Sequence, residues 1–377
     1  MTYRICARTV MDTTDPSSTF DENGISNHYL DFQNVVRPNW HPDAQGLKML
    51  KRQVDDIKKA GKGKDYDSLL GLSGGVDSSF MLHTMVKDFG LRPLVFHVDG
   101  GWNSEEAVHN IHVLVDKLGL DLYTEVINWN EMRDFQLAWF KSGVPHIDIP
   151  QDHAFIAVLY QFAEKHNIRT ILNGGNISTE CVKIPLKYFY WGTDMSQIND
   201  IIQRFGTMKM LTYPFSSVFR HKIYLRYLKD VKVFKPLNYL PYTKQIAENL
   251  LSKEYGWKPY QRKHFESRFT RFYESYWLPT RFGFDIRRTQ FSALILTGQM
   301  TRDQAFVELE KLPYDTETIE QDFEYIATKL GITPDELRTY HNMPKKFYWD
   351  YRNHFRLLDI IEKSVTFLKI ARRGGAF

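Results

Sequence analysis

Cysteine is nearly missing: Cys6 and Cys181 are the two in 377 residues, and they lie far apart. A disulfide framework is therefore not expected, and a reducing compartment is. No apolar run approaches membrane-spanning length, and the opening Met-Thr-Tyr-Arg-Ile-Cys has no signal-peptide core, so a cytoplasmic protein without a membrane partner is expected. A strong charge of one sign is also lacking. Net charge is +4, which argues against a nucleic-acid coat, and local basic clusters matter more than the total. There is no internal repeat and no low-complexity segment. What is present suits a sizeable core: 43% hydrophobic and 15% aromatic residues, enough for two domains or one domain with large additions.

The most informative stretch is Leu69 to Phe80, in which an apolar run passes through Ser73-Gly74-Gly75-Val76-Asp77-Ser78-Ser79 into a helical pattern. Leu82, Met85, Val86 and Phe89 keep helical spacing, and Gly90 is placed to end the helix. Two glycines and three hydroxyls thus sit where a strand becomes a helix. Backbone N–H groups and the positive end of the helix dipole converge there, which suits a phosphate or pyrophosphate. The loop is not a Walker P-loop, since no Lys follows Gly75, and Gly-x-Gly-x-x-Gly is absent. The bland alternative is a glycine-rich connector.

Strand and helix patterns alternate from residue 66. Strands are expected at 66–72, 93–98, 122–127 and 170–172, with helices at about 48–63, 104–118, 131–141 and 151–166. Apolar strands of this kind imply a doubly wound parallel sheet, an α/β fold, with ligands at the strands' carboxyl ends. Three such ends are glycine-rich or polar: Ser73–Asp77, Asp99–Gly101 and Asn173–Asn176. They are expected to meet at one site, to which Ser73 through Ser79, Asp99, Gly174 and Asn176 belong as candidate nucleotide ligands. The expected organisation is an irregular segment 1–47, a nucleotide domain 48–235 and a mostly helical region 236–377. Capping boxes Thr301–Gln304 and Thr333–Glu336 support that last assignment.

A carboxylate beside pyrophosphate needs a bridging cation, so Asp77 points to Mg²⁺, although its position equally suits a helix cap. Glu180 is either a second magnesium ligand or a solvated acid. Cys6 and His28 cannot make a zinc knuckle, and no zinc site is expected. If Lys258 to Phe272 is helical, His264, Arg268 and Arg271 share one face, while Phe265, Phe269, Phe272 and Tyr276 share an apolar one. The cationic face is either a solvated surface or a substrate anion site. Lys263 is the candidate for contacting the β and γ phosphates, and Lys183 is its competitor. A second basic cluster comprises His221, Lys222, Arg226, Lys229, Lys232 and Lys235.

Ser73 to Ser79 resembles the pyrophosphate loop of the N-type ATP pyrophosphatases (PP-loop ATPases, with an adenine nucleotide α-hydrolase-like fold). Nearly end to end, the chain resembles the N-acetyl sugar amidotransferases of bacterial surface-polysaccharide (lipopolysaccharide, O-antigen) and nonulosonic-acid biosynthesis. The resemblance is carried by Ile5-Cys6, Met11 to Pro16, Phe20 to Gly24, Ser73 to Ser79, Asn173 to Asn176, Lys263 to Thr270, Tyr276 to Pro279 and Phe282 to Asp285. Family members often carry two Cys-x-x-Cys pairs near the N-terminus; here three of those four thiols are replaced, by Thr9, Ser26 and Tyr29.

The resemblance implies a ligase with ATP and Mg²⁺ that turns the acetamido group of a nucleotide-activated, UDP-linked sugar into an acetamidino group. AMP and pyrophosphate would be released. Ammonia would come from a separate glutaminase resembling the histidine-biosynthesis subunit, sometimes with a cyclase-like subunit. No N-terminal Cys nucleophile follows Met1, so a built-in glutaminase of that type is not expected. Two other readings stay open: a pyrophosphatase that modifies tRNA, and a non-catalytic nucleotide-binding subunit of a polysaccharide-synthesis assembly. Modest net charge and the cysteine count weigh against the first, and the intact loop weighs against the second.

Overall fold

Strands form where the apolar runs are. In the computed structural model, which describes residues 2–220, 224–225 and 228–360, Ser68–Gly71 (β1), Pro93–Asp99 (β2), Leu122–Val126 (β3), Thr170–Leu172 (β4) and Lys232–Phe234 (β5) make one parallel sheet. The strand order is β3-β2-β1-β4-β5, with Leu70 opposite Val95 on one side and Leu172 on the other. Successive residues of β1 face opposite layers. Leu69 packs with Phe96, Phe135 and Phe162, and Leu70 packs with Val95, Met81 and Leu114. Helices therefore cover both faces, and the fold is the doubly wound α/β class. β5 is the strand that the sequence pattern does not reveal. It is three residues long and lies in a lysine-rich stretch, with charges that suit an exposed edge.

Before the sheet, a short helix Asn27–Asp31 (α1) is followed by Ala44–Ala60 (α2), capped by Asp43. Val76–His83 (α3) follows β1 and continues in a wider turn to Asp88, ended near Gly90 at φ +60°. Glu105–Leu118 (α4) is capped by Ser104 and closed by left-handed Gly119. Trp129–Ser142 (α5) and Ile149–Lys165 (α6) separate β3 from β4. The short Ile177–Glu180 (α7) and Met195–Phe205 (α8) precede β5, and Lys244–Tyr255 (α9) follows it. Leu237, Tyr242, Leu251 and Trp257 share the core of α2, α3 and α4, so this layer runs well past residue 235.

The remaining helices are Arg268–Phe272 (α10, continuing as a wider helix over Tyr273–Phe282), Arg287–Leu296 (α11), Arg302–Glu310 (α12), Thr316–Leu330 (α13) and Pro334–Asn342 (α14). Both capping boxes are present, at Thr301 and Thr333. An aromatic core of Phe269, Phe272, Trp277 and Phe323 docks this region onto Trp102, in the loop after β2. The N-terminal segment is held by packing and hydrogen bonds. Cys6 and Met11 pack on Val182 and Ala293. Asp12 pairs with Arg288 at 3.0 Å, Asp15 with His28 at 2.7 Å, and Arg302 donates to the carbonyls of Cys6 and Thr9. Among the described residues, no helix is long and apolar enough to cross a membrane.

Candidate active site

The site begins at the switch point of the sheet, where β1 lies between β2 and β4. The Ser73–Ser79 loop leaves β1 and enters α3 with Gly75 as the cap residue. Gly74 sits at φ +82°, and a Cβ there would lie 2.7 Å from the Ala107 carbonyl oxygen, so this turn admits only glycine without strain. The Gly74 carbonyl accepts from Trp257 Nε1 and Tyr260 Oη, each at 3.1 Å, which pins the loop from the far side. Gly174, in the loop after β4, approaches the backbone of Asp77 and Ser78 so closely that a Cβ would lie 3.1 Å from the Ser78 nitrogen.

Asp77 is the hub. It accepts from Tyr242 Oη and, at 3.1 Å, from Asn176 Nδ2, and it pairs with Lys263 at 3.0 Å. Lys263 also donates to Glu180 at 2.7 Å and to Thr179 Oγ1 at 2.9 Å. Burial alone pushes the Asp77 carboxyl up, but the Lys263 charge and the Tyr242 bond outweigh it and hold the pKa below the usual value. Burial likewise opposes the Lys263 ammonium, and Asp77 and Glu180 overcome that and raise its pKa. His264 has a left-handed backbone, at φ +65°, and bonds Glu274 at 2.8 Å. Burial lowers its imidazole pKa, yet Glu274 carries it up to about 9.

The residues 258–266 are not helical, which corrects the shared cationic face expected for His264, Arg268 and Arg271. Ser267 caps α10, so the helix starts at Arg268. Instead, the turn ending at Glu266 pairs with the loop after β2 through a single bridge between Ser267 and Asn103. Ser104 N donates to the Glu266 carbonyl at 2.8 Å, and Arg268 N donates to the Trp102 carbonyl at 2.9 Å. This seam carries Lys263, His264 and Glu266 onto the Ser73 loop. Arg268 and Arg271 turn away and both clamp the buried Asp322, at 2.9 and 2.6 Å.

The other candidates separate clearly. Ser73, Gly75, Val76, Asp77, Ser78, Gly174, Glu180, Lys263 and His264 line one cleft of about 230 Å³. Asn176 holds Asp77 from behind. Ser79 is fully buried in the core. Asp99 caps its own turn through Gly101 and Asn103, and Asn103 reaches the neighbouring cavity in its place. Lys183 is exposed and lines neither cavity. Of the basic cluster, His221, Lys222 and Arg226 lie outside the described residues. Tyr242, Tyr260 and Trp257 belong to the site without any sequence motif to announce them. A lone aromatic gives no signal when its partner is over 160 residues away.

Asp77 and Glu180 offer hard oxygen donors that already converge on one cation, the Lys263 ammonium. That donor set fits Mg²⁺ shared with phosphate oxygens. Residues 266–363 match the family model described as LPS biosynthesis protein WbpG-like, C-terminal domain. No curated protein matches the chain. Among solved structures, an NH3-dependent NAD synthetase from Campylobacter jejuni matches at TM-score 0.29 and 14% identity, covering 80% of this chain and 99% of its own. An NMN synthetase from Francisella tularensis matches at TM-score 0.30 and 15% identity, covering 60% and 93%.

Proposed function

We propose that the protein is an ATP-dependent amidotransferase that converts an acetamido group of a nucleotide-activated sugar, UDP-linked in the simplest case, into an acetamidino group. The observation that carries this is the cleft in which Asp77 and Glu180 hold Lys263 against a glycine-rich strand-to-helix loop. Such a cleft suits a pyrophosphate with its cation. The match of residues 266–363 to a lipopolysaccharide-biosynthesis family supports a sugar acceptor.

The acetamido oxygen attacks the α-phosphorus, and the bond to the β,γ-pyrophosphate breaks. Lys263 offsets charge on the departing pyrophosphate. Asp77 and Glu180 would hold Mg²⁺, which when bound neutralises phosphate charge. Ammonia then attacks the activated carbon and AMP leaves with the former amide oxygen. An adenylated amide hydrolyses in water, so this step needs an enclosed space. The half-open cavity of about 460 Å³ behind the loop, walled partly by Phe96, Phe155 and Leu172, suits the adenosine, and bound substrates would have to complete the enclosure. A third cavity, lined by Tyr260, Arg262, Lys311 and Tyr314 together with Glu106, Asp315 and the Arg271–Asp322 pair, adjoins the phosphate cleft and offers room for the sugar nucleotide. A separate glutaminase, with or without a cyclase-like subunit, would deliver ammonia. The test incubates the protein with ATP, Mg²⁺, ammonium and a panel of UDP-N-acetyl sugars. Sugar-dependent AMP release is expected. AMP release that needs tRNA, or tight ATP binding with no AMP from any acceptor, overturns the proposal.

A further inference from the structure

The cavity behind the phosphate loop has two unlike ends. One is apolar, walled by Phe96, Val98, Phe155 and Leu172. The other gathers His146, Asp148, Asp152, Tyr273 and Glu274, with His264 at the junction to the phosphate cleft. Its charge is unlike that of the neighbouring cleft. In the phosphate cleft Lys244, Arg262 and Lys263 balance the carboxyl groups of Asp77, Glu180, Glu248 and Glu266, whereas among the described residues no lysine or arginine lines this cavity. Four carboxyl groups line it, those of Asp148, Asp152, Glu266 and Glu274, with His264 the imidazole whose pKa is raised, so phosphate is disfavoured there and a cation is favoured.

The acidic end is built. Asp148 is buried and fixed by Thr270 Oγ1 at 2.6 Å and Gln151 Nε2 at 3.1 Å. Asp152, one turn along α6, has its carboxylate 3.3 Å from His146 Nε2 and its side chain 40% exposed. Two further groups point to a ligand. Tyr273 is 1% exposed and its hydroxyl has no hydrogen-bond partner, and His146, 3% exposed, has neither ring nitrogen in a hydrogen bond. Buried polar atoms of this kind are costly unless something joins them. Among the described residues, no three His, Cys, Asp or Glu side chains gather closely enough to hold a metal by themselves. Spread carboxylates, a phenol oxygen and an imidazole nitrogen instead match a small cation that donates hydrogen bonds in several directions.

We propose that this acidic end binds ammonium and takes a proton from it, so that ammonia meets the activated carbon from behind the phosphate loop. The inference rests on the amidotransferase reading above. One N–H bond of ammonium breaks, its electron pair stays on nitrogen, and an O–H bond forms on Asp148. Burial first, then the neighbouring Asp152 and Glu274, push the Asp148 pKa well above the usual carboxylate range, which suits a proton acceptor. The half-exposed Asp152 carries the proton on to solvent.

The test has two arms. In the first, nucleotide-free protein is titrated with ammonium, sodium or tetramethylammonium chloride at equal ionic strength, followed by melting temperature and by ¹⁵N-ammonium line broadening. Stabilisation by ammonium alone is expected. Asp148→Asn and Asp152→Asn should each weaken it at least tenfold while ATP affinity stays within twofold. Equal stabilisation by all three salts overturns the proposal, as does loss of ATP affinity in place of ammonium affinity. Should Asp148→Asn fail to fold, Asp152→Asn on the half-exposed side chain gives the same readout. In the second arm, KM for ammonium in sugar-dependent AMP formation should rise at least tenfold in both variants. Specific ammonium binding with no AMP from any sugar would keep the site and overturn the acceptor reading. Sugar-dependent AMP with an unchanged ammonium KM would keep the reading and overturn the site.

Discussion

Replacing Lys263 by Met tests the hub of the site most directly. Met keeps much of the length of the side chain and removes its charge. Lys263 lies 3.0 Å from Asp77 and 2.7 Å from Glu180, so the two carboxylates are no more than about 6 Å apart. At an effective dielectric constant near 20, two like charges at that distance repel by about 3 kcal/mol. Glu180 is 39% exposed and partly screened by water, which reduces the cost to about 2 kcal/mol. For a chain of 377 residues that corresponds to a melting temperature lower by roughly 2–3 °C at pH 7.5. The same repulsion makes the variant a better trap for a divalent ion. Added Mg²⁺ without nucleotide should therefore recover most of the loss in Lys263→Met and do little for the parent. If Lys263 also offsets charge on departing pyrophosphate, AMP formation falls by about 10²–10³ even in the Mg²⁺-stabilised variant. The assays are differential scanning fluorimetry with and without Mg²⁺, and chromatographic AMP quantification. A variant that melts with the parent, gains nothing from Mg²⁺ and keeps AMP formation within threefold would refute the reasoning at each step.

Three further outcomes are expected. Gly74→Ala should lower stability by about 1–3 kcal/mol and weaken ATP binding at least tenfold, because the added Cβ meets the Ala107 carbonyl at a positive φ; calorimetry and an ATP titration check it. Tyr242→Phe removes a buried hydroxyl from Asp77 and should cost about 1.5–3 kcal/mol. The Asp77 pKa is depressed, so its contribution to stability is present above the ordinary carboxyl value and is lost as pH falls through the folded one. The variant's acid-unfolding midpoint should move to higher pH. His264 has the opposite sign. Its pKa is raised to about 9, so its contribution is complete below the ordinary imidazole value near 6.5 and fades as pH rises through about 9. Melting temperatures of the parent and His264→Gln should converge between pH 7 and pH 9.5, and parallel curves would contradict the His264–Glu274 pair.

The parts of the site legible in the sequence are those encoded by neighbours along the chain. The Ser73–Ser79 loop announces itself because strand, glycines, hydroxyls and helix follow one another, and Gly174 follows β4 in the same way. Lys263 is a different case. Sequence reasoning could name it as a candidate for phosphate, but its contact with Asp77 spans almost half of the chain. That contact depends on the seam between Glu266 and Ser104, which is fixed by Trp102 entering the aromatic core of α10 and α13. Side-chain spacing carries no record of such a seam. The helical reading of 258–272 failed for a local reason that the residues do contain. Pro259 resists continuation of a helix, and Ser267 three residues before Thr270 marks a start. The aromatic spacing from Phe269 onward is truly helical, and extending it backward by two turns placed His264 on a face that does not exist. The consequence is chemical. A helical His264 would sit beside Arg268 and Arg271 as one more cation. In its left-handed turn it instead joins the phosphate cleft to the acidic cavity, with Glu274 behind it, so that anion and cation sites share one wall.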